Sequence, residues 1–269
     1  MTEHDSLKIG GIGAHLTLKF GGSRQGELAE AVRIRWSRCL NQSFGPPGEP
    51  VTATLQAAHE PGSVTQDPLA VTGRDAAWLL VHINQAITHS LIQAQTGRLL
   101  MFHAGAVSNP RTGRSLVYVA AGGTGKTTLT RVLGRRYGYL SDETVAIDAD
   151  DRILPYPKPL SERRVEGDAK QELSPDELGL QPAPAAPSVA RVLLLERDGS
   201  HHGEPDVREL GRLDGIELLA PQTSALYALP HGLHRLARLR ETTGPLLKVR
   251  YAEATSLLGL VAELIGEAP

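Results

Sequence analysis

The sequence predicts an α/β protein with two parts, a small α+β lobe over residues 1–98 and a larger α/β domain over residues 99–269. Two observations predict this division. A helical pattern of apolar residues over positions 75–96 separates the parts, and the chain after it alternates short apolar strands with a glycine-rich turn and further helices. With 41% hydrophobic residues, the chain can bury the cores that two such parts require.

The elements of the lobe are predicted from alternation and from helical spacing. Residues 16–20 alternate apolar with polar side chains, as a half-buried strand does. Ser23 is placed to cap a helix over residues 26–40, in which Trp36 lies on the buried face. The remaining elements predicted for the lobe are a strand over residues 51–57 and the helix over residues 75–96, which Gly97 ends.

In the larger domain, apolar runs of strand length alternate with turns and helices. Asn109, Pro110 and Gly113 mark a turn between two of these strands. Ser174 and Glu177 have the spacing of a capping box, which predicts a short helix ending at Gly179. The predicted strands cover residues 99–107, 115–121, 139–147 and 189–196, and the other predicted helices cover residues 126–137, 229–239 and 257–265.

Composition excludes several classes of function. The 28 basic and 30 acidic residues give a net charge of -2, so neither nucleic acid nor an anionic membrane is expected as the principal partner. Cys39 is the only cysteine, which rules out an intramolecular disulfide and a cysteine-rich zinc site. The polar N-terminus and the absence of a long apolar run lead us to expect a cytoplasmic protein without a membrane segment.

The apolar run at residues 116–121 leads into a glycine-rich turn and then into Lys126 and Thr127 at the start of a predicted helix. Small residues let backbone N–H groups converge on phosphate oxygens, the lysine reaches the β- and γ-phosphates, and the threonine hydroxyl can bind Mg²⁺. Ala120 stands where the G-x-x-x-x-G-K-[ST] pattern has its first glycine. The motif therefore predicts binding of ATP or GTP, and we take ATP with Mg²⁺ as the expected pair. The residues predicted to hold the nucleotide are Ala121, Gly122, Gly123, Thr124, Gly125, Lys126, Thr127 and Thr128.

A carboxylate follows the loop at short range. Asp142 lies 15 positions after Thr127, at the end of a short apolar run. In that place it can bind Mg²⁺ or accept the proton of an attacking hydroxyl, and the adjacent Glu143 can serve too if the chain bends there. The predicted metal ligands are therefore Thr127, Asp142 and Glu143. The alternative is an acidic turn without a chemical role.

Together these motifs resemble the HPr kinase/phosphorylase family, whose nucleotide-binding core is shared with phosphoenolpyruvate carboxykinases. Of these proteins, the chain resembles more closely the HPr-kinase-like proteins of lasso-peptide and related peptide-modifying clusters, which carry a Pro-x-Pro-x-Pro-Leu segment after the same core elements. It has Asp142-Glu143 where HPr kinases have an Asp-Asp pair, and it has no counterpart of their Glu-Ile-Arg-Gly signature. The resemblance is carried by residues 102–107, 120–128, 140–147 and 155–160.

The resemblance implies transfer of the γ-phosphoryl group of ATP to a hydroxyl. Asp142 would be the catalytic base, Lys126 would bind phosphate, and His103 would lie beside the phosphates. Without the resemblance, His103 is more typical of a structural histidine in a strand. Three cations are candidate contacts for phosphate or acceptor, or else solvated loop cations, namely Lys158, Arg163 and Arg164.

The expected function is thus an ATP-dependent kinase whose acceptor is a serine of a peptide or small protein. A small-molecule alcohol such as a sugar or an amino acid fits the same residues. A module that binds nucleotide and regulates a partner without phosphoryl transfer is the alternative from another class. Besides the acceptor, a second copy of this chain is a possible partner, in a homo-oligomer.

Overall fold

The computed structural model describes residues 6–41, 45–57, 67, 69–120, 125–163 and 170–266. It is a mixed α/β structure with several sheets, and it divides into two compact units. The first unit comprises Met1–Gln95 and Tyr156–Leu178, and the second comprises Thr96–Pro155 and Gly179–Pro269. The sequence predicts one boundary between residues 98 and 99, and the chain first passes from one unit to the other between Gln95 and Thr96. It does not anticipate that Tyr156–Leu178 packs with the first unit.

The helices and strands have the following bounds. The α-helices are α1 (Gln25–Arg35), α2 (Ala76–Gln95), α3 (Lys126–Gly134), α4 (Arg212–Leu219), α5 (Gly232–Thr243) and α6 (Leu258–Ile265). The strands of the first unit are β1 (Ser6–Gly11), β2 (Ala14–Gly21), β3 (Val51–Leu55), β4 (Ala70–Gly73), β10 (Leu160–Arg163) and β11 (Lys170–Leu173). The strands of the second unit are β5 (Leu100–Ser108), β6 (Arg114–Val119), β7 (Gly138–Ser141), β8 (Thr144–Ile147), β9 (Ile153–Leu154), β12 (Ser188–Arg197), β13 (Asp206–Glu209), β14 (Thr223–Ser224) and β15 (Leu247–Tyr251).

In the first unit, α1 and α2 pack on a sheet with the order β1–β2–β3–β4. Strands β1 and β2 are antiparallel, and β2, β3 and β4 are parallel. The predicted strands at residues 16–20 and 51–57 and the predicted helix at 75–96 are confirmed as β2, β3 and α2. An Asp75 carboxylate oxygen caps α2 by accepting from the Ala77 N–H at 2.8 Å.

The start of α1 differs from the prediction. Ser23 was expected to cap this helix, but the N-cap is Arg24 and makes no side-chain cap hydrogen bond. The Arg24 guanidinium instead donates to both carboxylate oxygens of Glu27, at 2.7 and 2.9 Å, so an ion pair spans the first turn. The helix ends at Arg35, and Trp36 behind it is fully buried, as predicted.

The segment Tyr156–Leu178 is tied to α2 by buried polar groups. Strands β10 and β11 form an antiparallel pair, and Glu172 of β11 is 2% exposed. Its carboxylate accepts from the Ser161 hydroxyl at 2.5 Å and from the Asn84 side-chain amide of α2 at 3.1 Å. The Thr88 and Tyr156 hydroxyls are 3.1 Å apart. A buried carboxylate is tolerated only when it is hydrogen-bonded, so these contacts fix the segment on the helix.

No helix forms at residues 174–179, and that prediction was wrong. The capping contacts are present, because the Glu177 carboxylate accepts from the Ser174 N–H at 3.0 Å. The Leu178 N–H also donates to the Ser174 carbonyl at 3.1 Å, but Gly179 then takes φ +66° and ends the turn. One turn supplies too few hydrogen bonds to offset the cost of nucleating a helix.

In the second unit, the sheet has the order β13–β15–β12–β6–β5–β8–β9, and β7 and β14 also pair with β5. Strands β6, β12 and β15 are parallel, whereas β5 is antiparallel to β6. One face of the sheet forms a core with residues of α3 and α6, and the other face forms a core with residues of α5. No helix among the described residues combines the length and apolar character needed to cross a membrane.

Two predicted elements around the glycine-rich turn are shorter than expected. The helix predicted over 126–137 ends at Gly134, as α3. The strand predicted over 139–147 is divided into β7 and β8, with Asp142 and Glu143 between them. Both strands pair with β5, and the register shifts between Ala106 and Val107 of β5, so the ladder bulges at Leu140, two residues before Asp142.

Gly105 of β5 provides a test of this packing. A Cβ at this position would lie 2.2 Å from the Tyr118 ring, which is fully buried. We expect Gly105→Ala to lower the free energy of unfolding by about 1–3 kcal/mol, because the ring has to move. Gly259→Ala in α6 is the control, since nothing lies within 4 Å of its added Cβ. The control should keep or gain stability, by up to about 1 kcal/mol. Urea denaturation measures both, and equal stability of the two variants would contradict the packing.

Candidate phosphate-binding site

The predicted phosphate loop joins the end of β6 to the start of α3. Val119 ends β6, Ala120 is fully buried, and Gly125 is the N-cap of α3. Gly125 has φ +90°, a left-handed conformation that favours glycine. As a glycine, Gly125 offers no side chain to cap α3, and anions commonly bind at helix starts of this kind. Four predicted loop residues lie outside the described residues, namely Ala121, Gly122, Gly123 and Thr124.

The Lys126 side chain lies across the two ends of this loop. It is only 8% exposed, and its ammonium donates to the Ala120 carbonyl at 2.7 Å. Burial lowers the pKa of Lys126, and the carboxylates of Asp142 and Glu143 act in the opposite direction. The ammonium is therefore held by the carbonyl at which the loop begins and lies within electrostatic reach of both acidic residues.

Asp142 is brought to the start of α3. Its carboxylate is 5% exposed and accepts from the Thr127 hydroxyl and from the Tyr139 hydroxyl, each at 3.2 Å. Oxygen donors of this kind are the ligands that Mg²⁺ prefers, and Mg²⁺ sites commonly use only one or two protein groups beside substrate phosphates. The Thr127–Asp142 pair thus fits a Mg²⁺ site at the phosphate loop. Among the described residues, no group of three or more His, Cys, Asp or Glu side chains is placed to hold a metal ion.

The chain bends at Asp142 and Glu143, as their position between two strands requires. The Ser141 hydroxyl oxygen accepts from the Glu143 N–H at 3.4 Å and from the Thr144 N–H at 3.2 Å. The Glu143 carbonyl accepts from the Ala104 N–H of β5 at 3.1 Å. These hydrogen bonds anchor the bend on both sides. The Glu143 side chain is half-buried and lies close enough to affect the pKa values of both Lys126 and His103.

His103 lies on β5 opposite Thr144, the first residue after the acidic pair. Its side chain is exposed, yet the pKa of His103 is lowered from 6.5, mainly by desolvation on its protein side and then by the Lys126 cation. A hydrogen bond with the Glu143 backbone and the carboxylates of Glu143 and Asp142 act in the opposite direction. A neutral imidazole at pH 7 can donate one hydrogen bond and accept another.

The structure therefore brings His103, Lys126, Thr127, Asp142 and Glu143 together, and Thr128 lies exposed in the first turn of α3.

The cations predicted as acceptor contacts belong to a segment that packs with the first unit, and one of them lies outside the described residues. Lys158 belongs to the first unit, is fully buried and donates to the Pro159 carbonyl at 3.1 Å. Arg163 is the last residue of β10, and Arg164 lies outside the described residues. An acceptor or phosphate role for these three residues stays a prediction.

Sequence reasoning missed the role of Tyr139. Its hydroxyl holds one oxygen of Asp142, three residues later in the chain. The signal was available, because a buried tyrosine needs a partner for its hydroxyl and Asp142 is the nearest acidic residue in the sequence. Tyr118 was missed in the same way. Its hydroxyl lies 2.5 Å from that of Thr130, which in turn donates to the Lys126 carbonyl at 2.9 Å and braces the start of α3.

Comparisons with known proteins add little to this geometry. No protein-family model matches the chain. No curated protein matches it either. Among solved structures, the HPr(Ser) kinase/phosphatase from Coxiella burnetii is similar over 61% of this chain and 93% of that chain, with 12% sequence identity and a TM-score of 0.35. A similarity this low carries no argument, so the resemblance to HPr kinases rests on the sequence motifs.

The titration of His103 tests the arrangement of charges. Lys126→Met removes the cation that lowers the pKa of His103, so we expect that pKa to rise in the variant. NMR titration of the imidazole signals measures the change. Arg131→Met removes a cation farther along α3 and should leave the His103 titration unchanged. An unchanged or lower pKa of His103 in Lys126→Met would show that the two side chains do not interact.

Proposed function

We propose that this protein is a Mg-ATP-dependent kinase that transfers the γ-phosphoryl group to an alcohol. The observation that carries the proposal is the 3.2 Å hydrogen bond between Thr127, directly after the loop lysine, and the Asp142 carboxylate. A phosphate-binding helix start, a buried ammonium and a buried carboxylate within one site are the parts that phosphoryl transfer needs.

In this proposal, Lys126 and the N-terminus of α3 bind the phosphates. Lys126 would exchange its bond with the Ala120 carbonyl for a stronger, charge-assisted bond with a phosphate oxygen. Thr127 and Asp142, with Glu143 beside them, would hold Mg²⁺. The metal ion would neutralise charge on the β- and γ-phosphates. His103, neutral at pH 7, can donate to a phosphate oxygen.

The chemical step assigned to Asp142 is proton transfer. The acceptor oxygen forms a bond to the γ-phosphorus, the bond from that phosphorus to the leaving oxygen of ADP breaks, and the hydroxyl proton passes to the Asp142 carboxylate. Tyr139 is a positioning residue for Asp142, because its hydroxyl donates to one carboxylate oxygen and so fixes the orientation of the carboxylate.

For the acceptor, we propose a serine of a peptide or small protein, on the strength of the likeness of residues 102–107, 120–128, 140–147 and 155–160 to kinases of peptide-modifying clusters. A sugar or amino-acid hydroxyl would use the same base and the same phosphate contacts. A labelling experiment with both kinds of acceptor distinguishes the two, because the label then appears in a polypeptide or in a small metabolite.

The test of the proposal compares Lys126→Ala, Asp142→Asn and Asp150→Asn. Asp142→Asn should lower phosphoryl transfer from γ-labelled ATP by about 10²–10⁴-fold, because the base is lost. Binding of MgATP should weaken less than in Lys126→Ala, because an amide oxygen can still face the metal ion and the phosphate contacts remain. Lys126→Ala should weaken both binding and transfer, because the phosphate contact is lost. Asp150→Asn is the matched control, since this exposed carboxylate lies outside the site. Transfer to fractionated native extract and calorimetric binding of MgATP are the two measurements.

Other outcomes separate the alternatives. Transfer that survives Asp142→Asn would refute the role of Asp142 as base. Nucleotide binding without any transferred label would favour the regulatory module. For such a module, affinity for a partner should depend on nucleotide, survive Asp142→Asn and fail in Lys126→Ala.

A further inference from the structure

The sheet continues beyond the phosphate loop on one side. Strand β12 is parallel to β6, with Leu194 opposite Val119, the last residue of β6. While the chain after Val119 turns into the loop, β12 extends for three more residues to Arg197. Arg197 is paired in turn with Tyr251, the last residue of β15. The carboxyl ends of β12 and β15 therefore border the loop, and ligands of α/β sheets bind outside such ends.

Arg197 lies against the start of α3. Its Cδ atom is 3.8 Å from the position that a Cβ on Gly125 would take, an ordinary van der Waals distance. The alternation of side chains along β12 explains why the Arg197 side chain points toward α3. Leu193 and Leu195 lie in the core that also contains Leu129 of α3. Arg197, two residues farther, points to the same face at the edge where that core ends.

The guanidinium of Arg197 is held in place but is not enclosed. Its Nε donates to the Ala252 carbonyl at 3.0 Å, and one terminal nitrogen lies 3.7 Å from the Glu253 carboxylate. The side chain is 49% exposed. An arginine has five N–H donors and two planar faces, so these contacts fix the group while leaving a face open to a ligand.

We propose that the carboxyl ends of β12 and β15 form the subsite for the nucleotide base, with the Arg197 guanidinium stacked on the purine ring. The inference rests on the proposed function, since it takes ATP as the ligand. His103 lies on β5, the neighbour of β6 on the other side, and Asp142 lies in the bend between β7 and β8, which pair with β5. In the proposed function, the reacting γ-phosphate therefore lies on that side. The base end of the nucleotide then lies toward β12. Arginine stacks on aromatic rings by combined cation–π and planar contact.

The experiment compares two ligands and three variants by calorimetry. MgATP carries a base, and magnesium tripolyphosphate has the phosphates alone. Arg197→Ala should weaken MgATP binding by about tenfold and leave binding of tripolyphosphate unchanged. Arg197→Lys keeps the charge but loses the planar group, so it should recover little of the lost affinity. Arg250→Ala is the matched control, because Arg250 lies one residue before Tyr251, so its side chain is on the opposite face of the sheet from Arg197, where it pairs with Asp198.

The results distinguish a base-stacking role of Arg197 from a phosphate contact and from no role in binding. Equal losses for MgATP and tripolyphosphate in Arg197→Ala, with recovery in Arg197→Lys, would make Arg197 a phosphate contact and overturn the base subsite. Unchanged binding of both ligands, or an equal loss in Arg250→Ala, would also overturn it. If the unmodified protein binds neither ligand, the proposed function itself fails. If the unmodified protein binds both ligands and Arg197→Ala has no effect, only the base subsite fails. Thermal unfolding of each variant verifies that it is folded.

Discussion

The pairing of β5 with its neighbours is the constraint on which the candidate site depends. Ala104 is opposite Val119, where the phosphate loop leaves β6, and His103 is opposite Thr144, where the chain resumes after the acidic pair. Both neighbouring strands are therefore interrupted at the same level of β5. A slip of one residue in either register would reverse which face each side chain points to, and the His103–Lys126–Asp142 grouping would be lost.

Charge sets the second constraint. Lys126 is a buried ammonium, and its transfer out of water is tolerated because a carbonyl and two nearby carboxylates partly replace the solvent. The same carboxylates would oppose the approach of a triphosphate, since both lie close to Lys126. A divalent cation that accompanies the nucleotide reverses this balance. The use of Mg²⁺ in the proposed function agrees with the charges that the fold brings together.

Sequence patterns predicted those elements whose signals are local. The alternation in β2, the apolar spacing of α2 and the strand–loop–helix order from β6 to α3 each lie within one segment. The errors arose where distant residues decide. The break between β7 and β8 depends on hydrogen bonds with β5. The missing helix at 174–179 is an exception, because there Gly179, a residue of the same segment, ends the chain's single turn. The grouping of Tyr156 with the first unit depends on Thr88 and on Gly11, where a Cβ would lie 2.1 Å from the tyrosine ring. Such contacts leave no periodicity in the sequence.

The position of β6 between β5 and β12 explains how one loop can serve two tasks. Neighbouring strands lie about 4.8 Å apart, so β5 and β12 border the loop from sides about 10 Å apart. On the β5 side stand the groups that can take a proton or contact a metal ion, Asp142 with His103. On the β12 side stands Arg197, whose partners Ala252 and Glu253 are neither base nor metal ligands in the proposed reaction. The two proposals thus place recognition of the nucleotide and chemistry at its terminal phosphate on different strands. In the proposed function, a substitution on one side can then change affinity without changing the chemical step on the other, because β6 and α3 lie between them.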